Sequence, residues 1–295
     1  MKKILITFLL LMAVLMFTLI FSSCNDATDI TSVDELNVSG IIIGVQNSTT
    51  GHTFAIGEFS NAQINAYAHF TDAVTALLVG TIDAVIVDTL AGEQFVAANS
   101  DRLMLLDDVL TAEQYGISFA LGSRLTAMFN EAFDELRENG TFQAIYDYWI
   151  SEVPGASRYV SPPGTTHPNG VLRMGTNPGF PPFEMYEGGH IVGFDPCMAR
   201  AIGDILGYEI EIVDMEFAAI IPAVQAGTVD FGMAGMTITE ERRESVDFSQ
   251  GYFYAGQRVL VRIPGAELEE GEAPPLYGEE GTNEDEEYEA DEEDE

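Results

Sequence analysis

Short apolar runs alternate with amphipathic stretches along most of this chain. Residues 41–45 (IIIGV) and 83–87 (DAVIV) predict buried strands, because continuous runs of branched apolar residues are typical of parallel strands covered on both faces. Further strands are predicted at residues 103–106, 115–121, 172–176, 191–195, 208–213 and 230–234, and helices at 71–79, 89–98, 123–138, 141–150, 196–206 and 217–226. This alternation predicts an α/β protein.

The first 24 residues have the pattern of an export signal. Lys2 and Lys3 precede an apolar run from Ile4 to Phe21, and small residues follow it. The sequence Ser22-Ser23-Cys24 resembles the cleavage box of bacterial lipoproteins, in which the cysteine is lipidated. The alternative is an uncleaved transmembrane helix, since the run is just long enough to span a bilayer. Polar sequence directly after Cys24 favours the lipoprotein.

Two further segments lack apolar periodicity. Residues 151–170 contain several prolines and glycines and predict a linker, which could reach roughly 60 Å if fully extended. Residues 264–295 form an acidic tail that holds 16 of the 48 acidic residues, and this composition predicts disorder.

Composition excludes several classes of function. The net charge is −36 and both lysines lie in the leader, so nucleic acid is excluded as a partner. After Cys24 the only cysteine is Cys197, which rules out an internal disulfide and a cysteine-based metal cluster. The four histidines are scattered without metal-ligand spacing. No metal and no cofactor is expected.

Residues 230–249 (DFGMAGMTITEERRESVDFS) contain the most informative chemistry. A short strand leads into a turn, and a helix begins after Thr239, a suitable N-cap. An arginine at a helix start, Arg242, beside the hydroxyl of Thr237 forms a good receptor for a small carboxylate. The alternative is that Arg242 and Arg243 form ordinary surface pairs with neighbouring glutamates, which are common on solvated helices.

The sequences VLRMGTNPGFPPFEM (171–185) and EFAAIIPAVQAGTVDFGMAGMTITEERR (216–243) resemble the bacterial extracellular solute-binding proteins of family 3. The motifs PPFE, GFD, IPA, GMT and ERR occur in the order and at the spacings of that family. These proteins are polar amino-acid receptors of ABC importers, often lipoproteins. The resemblance covers about residues 31–150 and 171–263. It implies the two-lobed, type II periplasmic-binding-protein fold, in which hinge strands connect two α/β lobes.

The resemblance also implies a ligand site. Arg242 with Thr237, supported by Thr50 and Thr49, would bind the ligand carboxylate, and Asp88 would bind its ammonium group. Gly235 would offer its backbone carbonyl, Phe180 and Phe217 would enclose the apolar stem, and Gln46 is a weaker candidate. Asn177 stands where several relatives carry an acid that reads the ligand side chain, which favours a polar neutral ligand over a basic one.

Other interpretations of these residues remain open. Asp88 could cap the following helix, Thr49 and Thr50 could belong to an ordinary strand-to-helix turn, and the phenylalanines could be core residues. The last interpretation suits Phe183 and Phe194 best.

The family order is rotated in this chain, which predicts a circular permutation. Lobe two comes first and lobe one is completed only after the linker, so the old termini would be joined by residues 151–170. A deletion within two tandem receptors would leave the same order, and pairing of the halves between two chains is the alternative fold. The predicted divisions are the signal peptide 1–24, lobe two with its tether and return hinge 25–122, the C-terminal helices of lobe one 123–150, the linker 151–170, the N-terminal part of lobe one with a hinge strand 171–263, and the tail 264–295.

The predicted function is an extracytoplasmic, lipid-anchored receptor, not an enzyme. It would be a monomer that captures an amino acid by lobe closure and delivers it to an ABC transporter permease. A cyclohexadienyl dehydratase-like enzyme is the main alternative, disfavoured because no His or Glu lies among the matched cleft positions. A sensor module is disfavoured because no second apolar span follows the body. A decayed receptor that binds nothing remains a further alternative.

Overall fold

A computed structural model describes residues 29–266 of the chain. The leader with Cys24 and the tail beyond residue 266 lie outside the described residues. The strands, in chain order, are β1 (Ile42–Gln46), β2 (Gln63–Tyr67), β3 (Ala84–Asp88), β4 (Leu103–Leu105), β5 (Glu113–Tyr115), β6 (Ser118–Phe119), β7 (Val171–Thr176), β8 (Met185–Glu187), β9 (His190–Val192), β10 (Glu209–Asp214), β11 (Phe231–Gly232), β12 (Asp247–Phe248), β13 (Phe253–Ala255) and β14 (Gln257–Arg262). The helices are α1 (Thr50–Glu58), α2 (Phe70–Leu78), α3 (Thr89–Ala98), α4 (Arg124–Glu138), α5 (Thr141–Trp149), α6 (Phe194–Leu206), α7 (Phe217–Ala226) and α8 (Glu240–Arg243), with a 3-10 turn at Val33–Glu35.

Two five-stranded sheets divide the described chain into two α/β lobes. The sheet of lobe two has the order β2-β1-β3-β14-β4, and the sheet of lobe one has the order β10-β7-β11-β6-β12. The fourth strand in each order is β14 in lobe two and β6 in lobe one, and each is antiparallel to both of its neighbours. The chain enters each of these strands from the opposite lobe. The two lobes therefore have the same topology, and each is completed by a strand that follows a crossing.

The two crossings pair with each other between the lobes. Strands β5 and β13 form an antiparallel ladder that opposes Phe253 to Tyr115 and Ala255 to Glu113. The continuous strand predicted at 115–121 is interrupted, and so is the second crossing between β13 and β14, because each leaves this ladder to join the sheet of a lobe. A glycine lies at each break: a Cβ on Gly116 would come within 2.8 Å of Ile238, and one on Gly256 within 2.7 Å of the Thr111 carbonyl oxygen.

Most predicted elements of the lobes are present, but helix α1 and strand β2 had no predicted counterpart and one further predicted strand is shorter. The edge strand β2 was missed, because its residues are mostly polar or half-buried and lack an apolar run. The strand predicted at 191–195 ends at Val192, and Asp195 lies in the first turn of α6. The break is at Gly193, whose φ of 138° is a conformation that glycine adopts readily.

Helices α4 and α5 pack against α6 of lobe one, although the chain places them before the linker. Cys197 of α6 is buried and accepts a hydrogen bond from Trp149 Nε1 at 3.2 Å. None of the helices within residues 29–266 is both long enough and apolar enough to cross a bilayer.

Residues 151–170 contain neither helix nor strand, yet they are attached to lobe one. The Tyr159 hydroxyl donates to Asp204 Oδ2 at 2.7 Å, and His167 Nε2 lies 2.8 Å from Asp204 Oδ1. Arg158 pairs with Glu187 and lies over the Trp149 ring. The linker therefore follows the surface of lobe one.

Candidate functional site

A small cavity lies between the two lobes, near the crossing strands. It has a volume of about 20 Å³, room for roughly one water molecule. Its lining residues are Gln46, Thr49, Thr50, Phe70 and Asp88 from lobe two, and Asn177, Phe180, Glu184, Phe217, Ala234, Gly235, Thr237 and Arg242 from lobe one. All ten residues predicted from the sequence to bind a ligand line this cavity.

The position of Arg242 follows from local sequence. The Thr239 side chain caps α8 by accepting a hydrogen bond from the Arg242 backbone N–H at 3.1 Å. This cap sets the start of the helix, as predicted, and orients the Arg242 side chain towards the cleft, while the adjacent Arg243 is exposed and lies near Glu240. The surface pairs considered for Arg242 do not form.

The guanidinium of Arg242 joins the two lobes. Nη1 donates to the Thr237 carbonyl at 2.7 Å within lobe one, and Nη2 donates to the Ser48 carbonyl of lobe two at 3.0 Å. The group also lies over the Phe217 ring, 5.3 Å from its centroid. Burial lowers the pKa of Arg242, whereas the nearby carboxylates of Glu113, Glu241 and Asp88 raise it. Arg242 is therefore a charged, anchored donor at the edge of the cavity.

The hydroxyls of Thr50 and Thr237 converge on Glu113. Thr50 Oγ1 donates to Glu113 Oε2 at 2.9 Å, and Thr237 Oγ1 donates to the same oxygen at 2.5 Å. Thr111 Oγ1 donates to the second oxygen, Oε1, at 2.7 Å. A carboxylate of the protein itself thus interacts with the two hydroxyls predicted to bind a ligand carboxylate.

Asp88 ends the buried strand β3 and faces the cavity. Its backbone is at the N-cap position of α3, but the side chain makes no capping hydrogen bond, which removes the structural alternative considered for it. The Tyr115 hydroxyl donates to its Oδ1. Burial raises the pKa of Asp88 to about 7, with a further contribution from Glu113, and the hydrogen bonds from Tyr115 and Gln257 partly oppose this rise.

Three other predicted residues have polar groups engaged in contacts within the protein. Thr49 caps α1, accepting from the His52 N–H and donating to the Gln46 carbonyl at 2.8 Å. Gln46 Nε2 donates to Asn177 Oδ1 at 2.6 Å, and Asn177 Nδ2 contacts His69 and the Met215 carbonyl. Thr49 thus has the local role expected of a turn residue, and the Gln46–Asn177 bond connects the lobes.

Stacked phenylalanines form one wall of the cavity. The Phe180 ring stacks on Phe70 of lobe two, with centroids 5.4 Å apart, and on Phe183 at 5.3 Å. Phe217, which also lines the cavity, lies beneath the Arg242 guanidinium. Phe183 and Phe194 are fully buried, in agreement with their interpretation as core residues. Phe70 was missed because it begins a helix of lobe two, and only folding brings it against Phe180.

A pair of buried acids lies behind this wall. Glu184, which lines the cavity, and Asp195 are 1% and 0% exposed. Burial raises the pKa of both carboxyls, to about 7 for Asp195 and well above its usual range for Glu184. Glu184 Oε2 and Asp195 Oδ1 have no donor among the described residues, so a proton shared between them would satisfy both atoms.

Gly235 is positioned by the same acid. Its N–H donates to Asp195 Oδ2 at 2.9 Å, and the Tyr252 hydroxyl donates to that oxygen at 2.8 Å. The residue has φ of 54°, and a Cβ here would come within 2.4 Å of the Phe180 ring. Glycine is therefore required at this position.

One premise of the sequence analysis was wrong. Glu184 lines the cavity, so the cleft does contain a glutamate, and His69 contacts Asn177 nearby. Glu184 belongs to the PPFE motif, which was noted in the sequence without a role for this residue. Glu113 and Tyr115 come from the hinge strand β5, and no sequence signal pointed from either residue to the cavity.

Comparisons with known proteins identify relatives for one part of the chain. A model of the family described as bacterial extracellular solute-binding proteins, family 3, matches residues 172–267. The arginine-binding extracellular protein ArtP of Bacillus subtilis is 45% identical over 91 residues, which are 31% of this chain and 36% of that protein. The arginine-binding protein ArgT of Corynebacterium glutamicum is 44% identical over 88 residues, 30% of this chain and 29% of that protein.

Among solved structures, the arginine-bound form of domain 1 from TmArgBP is 40% identical, with 34% of this chain and 86% of that chain covered and a TM-score of 0.29. The chain spans about a third of the length of the two curated relatives.

Proposed function

Since residues 172–267 belong to the family 3 extracellular solute-binding proteins, we propose that the whole chain is the substrate-binding component of an ABC importer. It captures a polar amino acid by closure of its two lobes. The observation that carries this proposal is the convergence of Arg242, Thr237, Thr50 and Asp88 on one cavity between the lobes.

These residues match the charges of an α-amino acid. A buried zwitterion is costly unless each of its charges is paired. Arg242 and the threonine hydroxyls of both lobes suit the carboxylate, and ionised Asp88 suits the ammonium group. Phe180 and Phe217 flank the same cavity and suit the apolar stem. With room for about one water molecule in the closed arrangement, an amino acid enters only when the lobes separate.

Glu184 changes the expected ligand class. Asn177, whose amide is engaged with Gln46 and His69, led the sequence analysis to favour a neutral ligand. The structure adds a second acid at the cavity, and a Glu184–Asp195 pair that shares one proton leaves one negative charge after the zwitterion is balanced. A ligand with a cationic side chain would neutralise it, and arginine is the ligand named for both curated relatives.

The remaining parts of the proposal concern the order and the location of the chain. A circular permutation explains why helices α4 and α5 of lobe one follow the lobe-two segment that begins with β1. They precede the segment of lobe one that begins with β7, with residues 151–170 as the connection. Lipidation at Cys24 would tether lobe two to the membrane, and the permease of the importer would receive the ligand. The protein would act as a monomer and not as an enzyme.

One observation supports the dehydratase-like alternative. The buried Glu184 has a raised pKa, which suits a general acid. Family relatives named as binding proteins favour the receptor. Dehydration of a cyclohexadienyl substrate by the purified protein would support the enzyme instead.

Calorimetric titration of the purified full-length protein with the twenty amino acids tests the proposal. We expect saturable binding of arginine or another cationic amino acid, together with a rise in the melting temperature. The variant Glu184→Gln should weaken the binding of arginine by about tenfold or more and leave glutamine binding nearly unchanged. No binding of any amino acid would leave the decayed receptor as the explanation.

A further inference from the structure

The side chain of Glu113 occupies a position that the sequence analysis did not consider. It comes from hinge strand β5, outside both lobes, and its Oε2 accepts hydrogen bonds from Thr50 of lobe two at 2.9 Å and Thr237 of lobe one at 2.5 Å. The hydroxyl of Thr111 holds the other oxygen at 2.7 Å. One carboxylate oxygen therefore bridges the two lobes.

The contacts of Glu113 with the two threonine hydroxyls exclude the same hydrogen bonds to a ligand. Each hydroxyl has a single O–H to donate. While Thr50 and Thr237 donate to Glu113, neither can donate to the carboxylate of an incoming ligand. Two carboxylates of like charge at one pair of hydroxyls would also repel each other. The contacts to Glu113 and to a ligand carboxylate are alternatives.

We propose that Glu113 is an internal stand-in for the ligand carboxylate, which latches the lobes together in the ligand-free protein and must be displaced when an amino acid binds. This proposal rests on the proposed function for the identity of the competitor. The latch itself depends only on the contacts of Glu113 with Thr50 and Thr237.

The surroundings of Glu113 suit this role. Arg242 has no ion pair with Glu113, and its two outer nitrogens donate to backbone carbonyls of Thr237 and Ser48, yet the Glu113 charge raises its pKa. Beside these residues lies an open groove of about 1190 Å³, lined by Thr50, Glu113 and Arg242 among others, so the latch borders solvent. A displaced Glu113 side chain would therefore have water to solvate its charge.

Competition of this kind lowers the apparent affinity of the site. If the latched form makes up nine-tenths or more of the ligand-free protein, the observed Kd is about tenfold or more above the intrinsic value. Removing the latch should therefore tighten binding, the opposite of what the loss of a ligand contact does.

The test compares three variants of the full-length protein. Glu113→Ala removes the carboxylate, and Glu113→Gln removes the charge but keeps an oxygen that can accept from both hydroxyls. Glu131→Ala, an exposed acid on α4, is the matched control for the change in net charge. Titration with arginine and glutamine measures the affinity, and small-angle scattering of the ligand-free proteins measures how far the lobes separate.

We expect Kd to fall at least tenfold for Glu113→Ala and about threefold for Glu113→Gln, with Glu131→Ala unchanged. Ligand-free Glu113→Ala should also have a larger radius of gyration than the wild type. Weaker or unchanged binding in Glu113→Ala would overturn the competition and make Glu113 a ligand contact or a bystander. If no protein binds any amino acid, the proposed function fails, and the scattering alone decides the latch: equal radii for wild type and Glu113→Ala overturn it.

Discussion

The two lobes share one strand order and differ in what they present to the cleft. Lobe one contributes the cation Arg242 and the rings of Phe180 and Phe217, whereas lobe two contributes the acid Asp88 and the hydroxyl of Thr50. The common topology places the ends of equivalent strands on the two sides of one cavity. The chemistry at those ends is complementary rather than repeated.

If the chain binds an amino acid as proposed, this difference explains why two lobes are needed. A zwitterion bound to either lobe alone would have one charge unpaired, and the full set of partners would be assembled only on closure. Binding and closure would then be one event, in which the free energy of ion pairing stabilises the closed form. Contacts that already join the lobes, such as Gln46 with Asn177, decide how much of that free energy is left for the ligand.

The lobes also differ in how the chain builds them. The family match at residues 172–267 begins with β7 of lobe one and includes β14, but lobe one is completed by α4 and α5 from before the linker. Shortening the linker should therefore disturb the assembly of lobe one more than that of lobe two.

Shortening residues 151–170 to four glycine and serine residues should have the largest effect. Helices α4 and α5 would no longer reach α6 of the same chain and would pack on α6 of a second chain, because their apolar faces require cover. With the linker intact we expect a monomer, since a tethered partner has a high effective concentration. Light scattering distinguishes a monomer from a swapped dimer.

A control for this change keeps the linker length and replaces Tyr159 and His167 by alanine, which removes their side-chain contacts to Asp204. That variant should remain monomeric. A stable dimer of the wild type at low micromolar concentration would contradict folding of both lobes by one chain.

The variant Arg242→Ala tests the contribution of lobe one. We expect binding of every amino acid to fall below detection in a titration, because the guanidinium is the only described cation that lines the cavity. Arg242→Lys should also bind poorly, since lysine lacks the planar fork. Arg243→Ala is the matched control, as its side chain is exposed on the same helix, and undiminished affinity in Arg242→Ala would exclude the assignment.

The variant Asp88→Asn tests lobe two in the same way. It should cost about 2–5 kcal/mol in binding an α-amino acid, because the ammonium group loses its charged partner. The matching deaminated acid should lose far less, and Asp108→Asn, an exposed acid of lobe two, should change neither. Calorimetry with both ligand classes gives the difference, and equal losses would show that Asp88 is structural.

The pH dependence of stability gives a further test of the buried acid of lobe two. The pKa of Asp88 is about 7 in the folded protein and near 3.8 in the unfolded chain, so the folded state binds more protons between these values. The free energy of unfolding should therefore fall as the pH rises from about 4 to 7, with Asp195 acting in the same direction. Urea denaturation at several pH values should show a flatter profile for Asp88→Asn than for the wild type, and parallel profiles would refute the shift.

Much of the lobes could be predicted from local sequence. Helix α7 has the predicted bounds, Thr239 caps α8 as expected, and strands β1, β3 and β10 are shifted by one residue. These elements depend on apolar runs, periodicity and capping, which a short window of sequence contains. The edge strand β2 and the breaks in the crossing strands have no such local signal.

The sequence by itself determined which residues could form a zwitterion site. The residue types and the surrounding motifs mark strand ends and a helix start at Arg242, Thr237, Asp88 and Phe180. Only the tertiary structure decided which of these side chains are already bonded to other groups of the protein. Glu113 meets Thr50 and Thr237 across 63 and 124 residues of chain, and Glu184 meets Asp195 only because the PPFE turn folds over α6. The first set of contacts depends on the closing of the lobes and the second on packing within lobe one, and neither is encoded in any short stretch of the sequence.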